Sequence, residues 1–196
     1  MGNRAVITTE AKDIGVYLHW NGGRDSVNAF LTYCKLKGYR CPESDCYGWA
    51  RLCQVIGNFF GGELSVGIDR YDRLDTDNGD NGVYIIKNWE IVDREFYNGD
   101  EQDNYDMREA LFLINNSQPV SEQIDTETLD NAIDKLLVKP ITRKQIKAIH
   151  AVIGELGWYE ERYKDLLKVV FGKDTCKDLT EEQASVIIEM LNKLKG

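Results

Sequence analysis

The first half of the chain mixes short β-type runs of apolar residues with stretches of helical period. Residues 4–9 and 14–19 are short and rich in β-branched and aromatic residues, which predicts two strands. After the Asn-Gly-Gly turn at residues 21–23, apolar residues follow at helical spacing, and we expect Asp25 or Ser26 to cap that helix. The same criteria predict a helix over 46–60, strands over 64–68, 83–87 and 89–96, and a helix over 105–114.

The second half of the chain shows only the helical period. Pro119 marks its start, and a predicted helix over residues 126–138 ends before Pro140, since the residue before a proline disfavours the helical conformation. Thr142 and Thr180 each precede a glutamine by three residues, which is the spacing of a capping box. The amphipathic faces that follow Pro140 need to be buried against one another, so we expect a helical bundle.

These patterns predict an α+β protein with two domains. Residues 1–118 form a mixed α/β module with a small, mostly antiparallel sheet, and residues 119–196 form a helical module. The chain contains 24 Lys+Arg and 33 Asp+Glu, a formal net charge of −9. Residues 63–109, with 14 acidic and 5 basic residues, have that same net charge by themselves, whereas residues 140–196 are nearly neutral. Such acidity argues against a protein whose whole surface binds nucleic acid.

The chain is expected to remain in the cytoplasm. No stretch approaches the roughly 18 apolar residues of a membrane span, and the first residues lack the hydrophobic run of a signal peptide. Five cysteines, an odd number in a chain without an export signal, predict buried reduced thiols rather than disulfides. A zinc site at Cys41 and Cys46, which are separated by four residues, is the alternative.

The sequence offers little support for catalysis. His19 and His150 are the only histidines, and no Gly-x-Ser-x-Gly nucleophile motif is present. We interpret His19 as a structural residue beside Trp20 and His150 as a surface residue of a helix. A nucleophilic pair of Cys34 or Cys53 with His19 is the alternative. We therefore predict no enzymatic activity, no cofactor and no metal.

Two places combine basic side chains with the start of a helix. Glycines precede Arg24 at the first predicted helix, where amide groups bind anions. No phosphate-binding glycine motif is present there, so a plain strand–turn–helix connection is the simpler interpretation. In the second half, Arg143, Lys144 and Lys147 cluster at a helix start, either as a weak phosphate-contacting face or as a solvated surface.

The most acidic segment lies between the predicted strands at 64–68 and 83–87. A calcium loop of EF-hand type starting at Asp75 needs glycine at its sixth position and glutamate at its twelfth, but Asp80 and Ile86 stand there. The segment is either a solvated turn or a negative surface that steers a basic partner. The candidate partner-binding carboxylates are Asp69, Asp72, Asp75, Asp77 and Asp80.

Two strings in the first half resemble a known protein group. Residues 15–27 (GVYLHWNGGRDSV) and 47–62 (YGWARLCQVIGNFFGG) resemble a module of phages and mobile elements of gut Firmicutes. The group includes anti-CRISPR proteins that inhibit the type II CRISPR effector nuclease. The resemblance spans residues 1–100 and assigns no catalytic residue. It implies a protein that binds this nuclease, alone or with its guide RNA, inside a bacterial host.

A second resemblance lies in the last third of the chain. It is carried by Ile141, Thr142, Gln145, Ile146, Ile149, His150, residues 155–157, Gly172, Lys173, residues 177–180, Gln183 and Ala184. These positions resemble the regulatory domain of the Mu-like phage gp16 (GemA) proteins. That family is small, helical and linked to phage gene regulation, so the resemblance implies a DNA-binding or transcription-regulatory role.

We therefore expect a non-enzymatic phage or mobile-element protein that binds and inhibits the type II CRISPR effector nuclease through an acidic surface. A gp16-type regulator, with weak DNA contact through the helical module, is the alternative. The residues expected to bind the partner are the five aspartates named above, Arg24, Arg143, Lys144 and Lys147.

Overall fold

The chain divides into two compact units. A computed structural model describes residues 2–97, 99, 101 and 105–195. Contacts between Cα atoms separate Met1–Asp130 from Asn131–Gly196. Strands and helices occur in the first unit, and the described part of the second unit is helical, so the predicted α+β class is confirmed.

The first unit contains a five-stranded sheet in the order β3-β2-β1-β4-β5. The central strand β1 pairs in parallel with β4, and the other three neighbouring pairs are antiparallel. The prediction of a mostly antiparallel sheet is therefore confirmed. All five residues of β1 are buried. The strands are β1 (Ala5–Thr9), β2 (Ile14–Leu18), β3 (Val66–Arg70), β4 (Val83–Lys87) and β5 (Glu90–Glu95), and the helices include α1 (Arg24–Leu36), α2 (Cys46–Phe59) and α3 (Met107–Ser117).

Both faces of the sheet centre are covered. Helix α1 contacts β5 and α2 contacts β3. A separate buried cluster contains Val6 and Val83, against which Tyr71 and Leu74 pack. Both of these belong to residues 69–82, the end of β3 and its connection to β4, which we call the acidic crossover. Because β3 is an edge strand and β4 lies beyond β1, this connection crosses β2 and β1.

Leu74 holds the acidic crossover against β2 and packs closely over a glycine. Gly15 of β2 is buried, and a Cβ atom there would lie 2.6 Å from Cδ1 of Leu74 and 3.1 Å from Cγ1 of Val6. A side chain at residue 15 would therefore displace the Cδ1 methyl of Leu74 from its present position, since such a distance is far below van der Waals contact.

Asn78 fixes the conformation of the acidic crossover from within. Its side chain is 4% exposed. The amide nitrogen donates to the carbonyl oxygens of Asp75 and Gly82, both at 3.3 Å, and the amide oxygen accepts from the backbone N–H of Asp80 and of Gly82, both at 3.1 Å. One buried side chain thus bonds four backbone groups of the crossover, of which the Gly82 carbonyl also accepts from the N–H of Val6 at 2.9 Å.

The second unit is built around a cluster of buried apolar side chains from three helices, α5 (Arg143–Glu155), α6 (Glu160–Phe171) and α7 (Glu181–Lys193). Both predicted capping boxes are present, at Thr142 with Gln145 and at Thr180 with Gln183. Helices α5 and α7 pack against each other, and the residues before them form a β-bridge between Pro140 and Thr180. No helix in the described part of the chain combines the length and the apolar content of a membrane span.

Helix α1 begins before both of its predicted caps, Asp25 and Ser26. Its N-cap is Gly23, which forms no side-chain capping bond, so the predicted cap was wrong. The preceding turn packs closely against Asn3. The Gly22 N–H donates to the Asn3 carbonyl oxygen at 2.7 Å, and a Cβ at Gly22 would lie 2.6 Å from that oxygen.

Two other elements begin later than the apolar pattern predicts. Strand β3 was expected over 64–68, but its pairing with β2 begins at Val66, and Leu64 is exposed. Helix α3 was expected over 105–114, but Asp106 caps it by accepting from the N–H of Glu109 at 2.9 Å. Strand pairing and a capping carboxylate set these boundaries, and neither depends on apolar spacing.

The division between the units falls inside α4 (Thr126–Leu137), beyond the boundary predicted before Pro119. Residues of the intervening segment are bonded to α3. Asn115 of α3 donates to the carbonyl oxygen of Ile124 at 2.9 Å and accepts from its N–H at 2.8 Å. Arg108, also in α3, forms an ion pair with Asp130. These side-chain bonds extend the first unit.

Replacing Asn78 with alanine is expected to lower the free energy of unfolding of the first unit by about 1–3 kcal/mol, because buried backbone groups lose their partners. Urea titration followed by tryptophan fluorescence measures this loss. Asn192→Ala, at an exposed position near the end of α7, is the matched control and should change stability little. Equal stability of the two variants would contradict the assigned role of Asn78.

Candidate functional site

The acidic crossover presents most of its carboxylates to solvent on an ordered backbone. Asp69, Asp72, Asp75 and Asp77 are exposed residues, whereas Asp80 is half-buried. The segment is held down by Leu74 and Asn78, so its position over the sheet does not depend on the four exposed aspartates. The predicted acidic segment is therefore a fixed surface.

Arginines of the same unit pair with most of these carboxylates. Arg70 lies 2.6 Å from Asp72, and Arg73 lies 3.7 Å from Asp69. Arg4 is 2.6 Å from Asp80 and 3.9 Å from Asp75. The five aspartates and three arginines leave a local net charge of −2. The exposed pairs contribute little stability because water screens them.

Asp77 differs from the other aspartates. Its side chain is exposed and forms no ion pair or hydrogen bond with any described residue. It follows Asp75 and Thr76 in the exposed part of the crossover. Asp77 is therefore the carboxylate most available to a partner.

Asp80 has an internal role. Its Oδ2 accepts from the backbone N–H of Arg4 at 3.1 Å and from the Nε of Arg4 at 2.6 Å. These hydrogen bonds with Arg4 lower the pKa of the Asp80 carboxyl below its usual value. Asp80 thus ties the end of the crossover to the residue before β1, which separates it in function from the exposed aspartates.

Metal binding gains no geometric support. In the described ranges, no group of three or more His, Cys, Asp or Glu side chains is placed to hold a metal ion. All five cysteines are free, but Cys46 is exposed, so the expectation that every thiol is buried was wrong for this residue. Cys46 is the first residue of α2, directly after the capping Asp45, and that end of the helix faces solvent.

The turn before α1 does not form an open phosphate cradle. Both of its glycines are buried, and Gly22 packs against Asn3 and Ala5. Arg24 pairs with Glu101 at 3.2 Å, and the same carboxylate accepts from Arg94 at 2.9 Å. The guanidinium of Arg94 lies 3.7 Å from the centre of the Tyr84 ring, its cross-strand neighbour. The sequence analysis did not identify Arg94 or Glu101. The pairing register of β4 with β5, which places Arg94 opposite Tyr84, would have identified Arg94.

The basic cluster of the second unit is fully solvent-facing. Arg143, Lys144 and Lys147 are exposed on the first turns of α5 and form no ion pair with described residues. Other bases of this unit do have acidic neighbours: Lys164 lies 2.7 Å from Glu160, and Lys168 lies 3.3 Å from Asp174. The charges of the α5 cluster are therefore less neutralised by acidic neighbours than those of Lys164 and Lys168.

The thiol–imidazole contact in the structure is not the one considered from the sequence. The His19 ring contacts Tyr17 and Trp20, and Cys34 is buried, which raises the pKa of its thiol. Instead, Sγ of Cys176 lies 3.8 Å from Nε2 of His150 in the second unit. Because Cys176 is 2% exposed and belongs to the buried apolar cluster of the second unit, this thiol has no room to approach a substrate.

A cavity of about 500 Å³ lies between the β1–β2 turn and the start of α2. Three of its carboxylates already have internal partners. Glu10 pairs with Lys87 at 2.7 Å, Asp45 pairs with Arg40 at 2.6 Å, and Glu43 accepts from the N–H of Asn88. These three carboxylates bind neighbouring elements together, which leaves Asp13 as the remaining carboxylate of the lining.

Comparison with known proteins identifies no relative of this chain. It matches no protein-family model, no curated protein and no solved structure. The function is therefore inferred from the residues, the geometry described above and the two resemblances in the sequence.

The stability difference between the wild-type protein and Asp80→Asn is expected to depend on pH. The pKa of Asp80 is lower in the folded state than the unfolded value of about 3.9, so its stabilising contribution is complete above that value and is lost as the pH falls through the folded pKa. The difference should be largest near pH 6 and narrow below about pH 4. Urea titrations across this range measure it, with Asp77→Asn as the control. A difference that stays constant with pH would contradict the assignment.

Proposed function

We propose that the chain is a non-enzymatic anti-CRISPR protein that binds and inhibits a type II CRISPR effector nuclease. The observation that supports this most is the acidic crossover, an ordered and exposed surface with a net negative charge. Such nucleases hold the guide–target duplex in a positively charged channel. A fixed array of carboxylates is complementary to that channel and loses little conformational entropy on binding.

The intramolecular ion pairs leave the exposed aspartates free to change partners. Asp72 and Arg70 have side chains that are 60% and 64% exposed. A pair of this kind contributes at most about 1 kcal/mol, because both charges remain hydrated. A lysine or arginine of the nuclease can therefore replace Arg70 beside Asp72 at small cost.

The two strings that resemble the phage module support the fold of the first unit more than its surface. Residues 15–27 run from β2 through the turn into α1, and residues 47–62 cover most of α2 and the glycines after it. Several of their apolar residues, such as Leu18 and Leu52, are fully buried. Trp20, at 42% exposed, is one of the few large apolar side chains that they place at the surface.

Guide-directed DNA cleavage by a purified type II effector nuclease tests the proposal. The wild-type chain in molar excess should suppress cleavage. Asp72→Lys/Asp75→Lys/Asp77→Lys should weaken inhibition about tenfold or more, because like charges then face the channel. Asp80 is left unchanged, because its bonds to Arg4 are structural.

Glu161→Lys/Asp165→Lys/Asp178→Lys, at exposed acidic positions of the second unit, changes the net charge equally and is the control. Complete cleavage in the presence of excess wild-type chain would contradict the proposed function. Equal inhibition by the two triple variants would instead remove the acidic crossover from the mechanism.

A second candidate function is a DNA-binding regulator of the gp16 type. The observation in its favour is the cluster Arg143, Lys144 and Lys147, three exposed bases at one helix start without acidic partners among the described residues. Helices α5 and α6 are joined by four residues that include Gly157, a connection length found in helix-turn-helix units.

Electrophoretic mobility shift of duplex DNA by the full chain tests this candidate. Replacing Arg143, Lys144 and Lys147 with alanine should reduce the slope of log affinity against log salt by about 2–3, because up to three phosphate contacts are lost. Lys164→Ala/Lys168→Ala/Lys193→Ala, at bases that already pair with acids, is the control. No shift by the wild-type chain at low salt would exclude this function.

A further inference from the structure

A second acidic surface of the first unit lies in a groove beside the starts of α1 and α3. The groove has a volume of about 270 Å³, which is below the ~300 Å³ at which small-molecule sites usually begin. We call it the α1–α3 groove. Its apolar lining consists of Ala29, Phe30, Phe59, Ala110, Leu113 and Ile114. Its size suits one or two side chains of a partner protein better than a cofactor.

The floor of the α1–α3 groove is rigid and its apolar edge is open to solvent. The Phe30 and Phe59 rings pack edge to face with centroids 5.2 Å apart, and Phe30 is fully buried. Leu113, one turn before the end of α3, is 55% exposed. An apolar side chain placed in the groove would cover Leu113 and contact the edge of Phe59, which provides a hydrophobic driving force.

All of the charged side chains that line the groove are acidic. They are Asp25 in the first turn of α1, and Asp106 and Glu109 at the start of α3. Asp106 accepts from the N–H of Glu109, but the side chains of Asp25 and Glu109 form no ion pair or hydrogen bond with described residues. In the acidic crossover, by contrast, arginines neutralise most of the carboxylates.

The helix ends do not cancel this charge. Each of the two helix N-termini contributes about +0.5 of an elementary charge, so together they offset about one of the three carboxylates. A net charge of about −2 then remains beside an apolar floor. A basic group next to an apolar side chain is the chemistry that complements both features.

We propose that the α1–α3 groove binds a segment of a partner protein in which an apolar side chain is flanked by lysine or arginine. The apolar side chain lies against the edge of Phe59 and Leu113, and the basic group pairs with Asp25 or Glu109. The inference rests on the proposed function for the identity of the partner, the type II effector nuclease, and it gives the chain a second contact besides the acidic crossover.

A peptide titration tests the groove independently of the nuclease. The probe is the acetylated and amidated peptide Arg-Leu-Leu-Arg, and the comparison peptide is Glu-Leu-Leu-Glu, each added to the full chain and followed by NMR chemical shifts. The basic peptide should shift the amide signals of Ala29, Ala110 and Leu113, and the acidic peptide should not. No shifts with the basic peptide, or equal shifts with both, would overturn the inference.

Two double variants distinguish the effect of the groove's charge from an effect on folding. Asp25→Asn/Glu109→Gln removes the unpaired carboxylates, leaves the capping Asp106 intact, and should weaken binding of the basic peptide about tenfold. Glu63→Gln/Glu127→Gln makes the same charge change at exposed positions of the first unit and should bind as the wild type does. Equal binding by both double variants would also overturn the inference.

The same variants in the cleavage assay distinguish the two proposals. Weaker inhibition by Asp25→Asn/Glu109→Gln than by Glu63→Gln/Glu127→Gln would place the groove at the nuclease interface. Equal inhibition by these two variants would overturn that assignment. If the wild-type chain binds the basic peptide but does not inhibit cleavage, the proposed function fails and the groove remains a basic-segment site for another partner.

Discussion

The stability of the first unit depends on covering one face of its sheet, and the acidic crossover is the connection that crosses this face. β1 is a central strand with no exposed residue, so apolar side chains on both of its faces need a covering layer. Leu74 and Tyr71 provide that layer in the acidic crossover, and Gly15 leaves room for it. Because the cover is apolar underneath, its polar and charged residues necessarily face solvent. The exposed array of aspartates is therefore a consequence of how this face of the sheet is covered.

This arrangement divides the acidic residues between structural and exposed roles. Asp80 and Asn78 bond to backbone groups and hold the crossover in place. Asp72, Asp75 and Asp77 remain exposed at the surface. In the α1–α3 groove, first-turn carboxylates that stabilise helix ends also give the groove its charge. Carboxylates with structural roles and exposed carboxylates thus occur in the same short segments.

Local structure was largely predictable from the sequence, because it depends on neighbouring residues. The capping boxes at Thr142 and Thr180 and the strand at 83–87 follow from short-range patterns and are present. The parallel pairing of β1 with β4 was not predictable, because nothing in either strand specifies a partner so far along the chain. The shared Glu101 between two arginines was missed for the same reason.

The sequence predicted which residues the candidate site contains, but it did not predict how their side chains are arranged and paired. The sequence shows that five aspartates are close along the chain, but whether Asp75 and Asp80 are paired depends on Arg4, which lies outside the segment. The groove was missed because its carboxylates come from two helices separated by most of the first unit. Contacts of this length require the fold to be known before their chemistry can be interpreted.

Amide hydrogen exchange of the full chain, followed by NMR, tests the central claim that the acidic crossover is an ordered cover. The N–H groups of Asp80 and Gly82 both donate to the buried Asn78 side chain. The account predicts that these two amides exchange about as slowly as those of β4, because they open only when the sheet does. Exchange at the rate of an unstructured chain would contradict it, since the aspartates would then lie on a loop without a fixed surface.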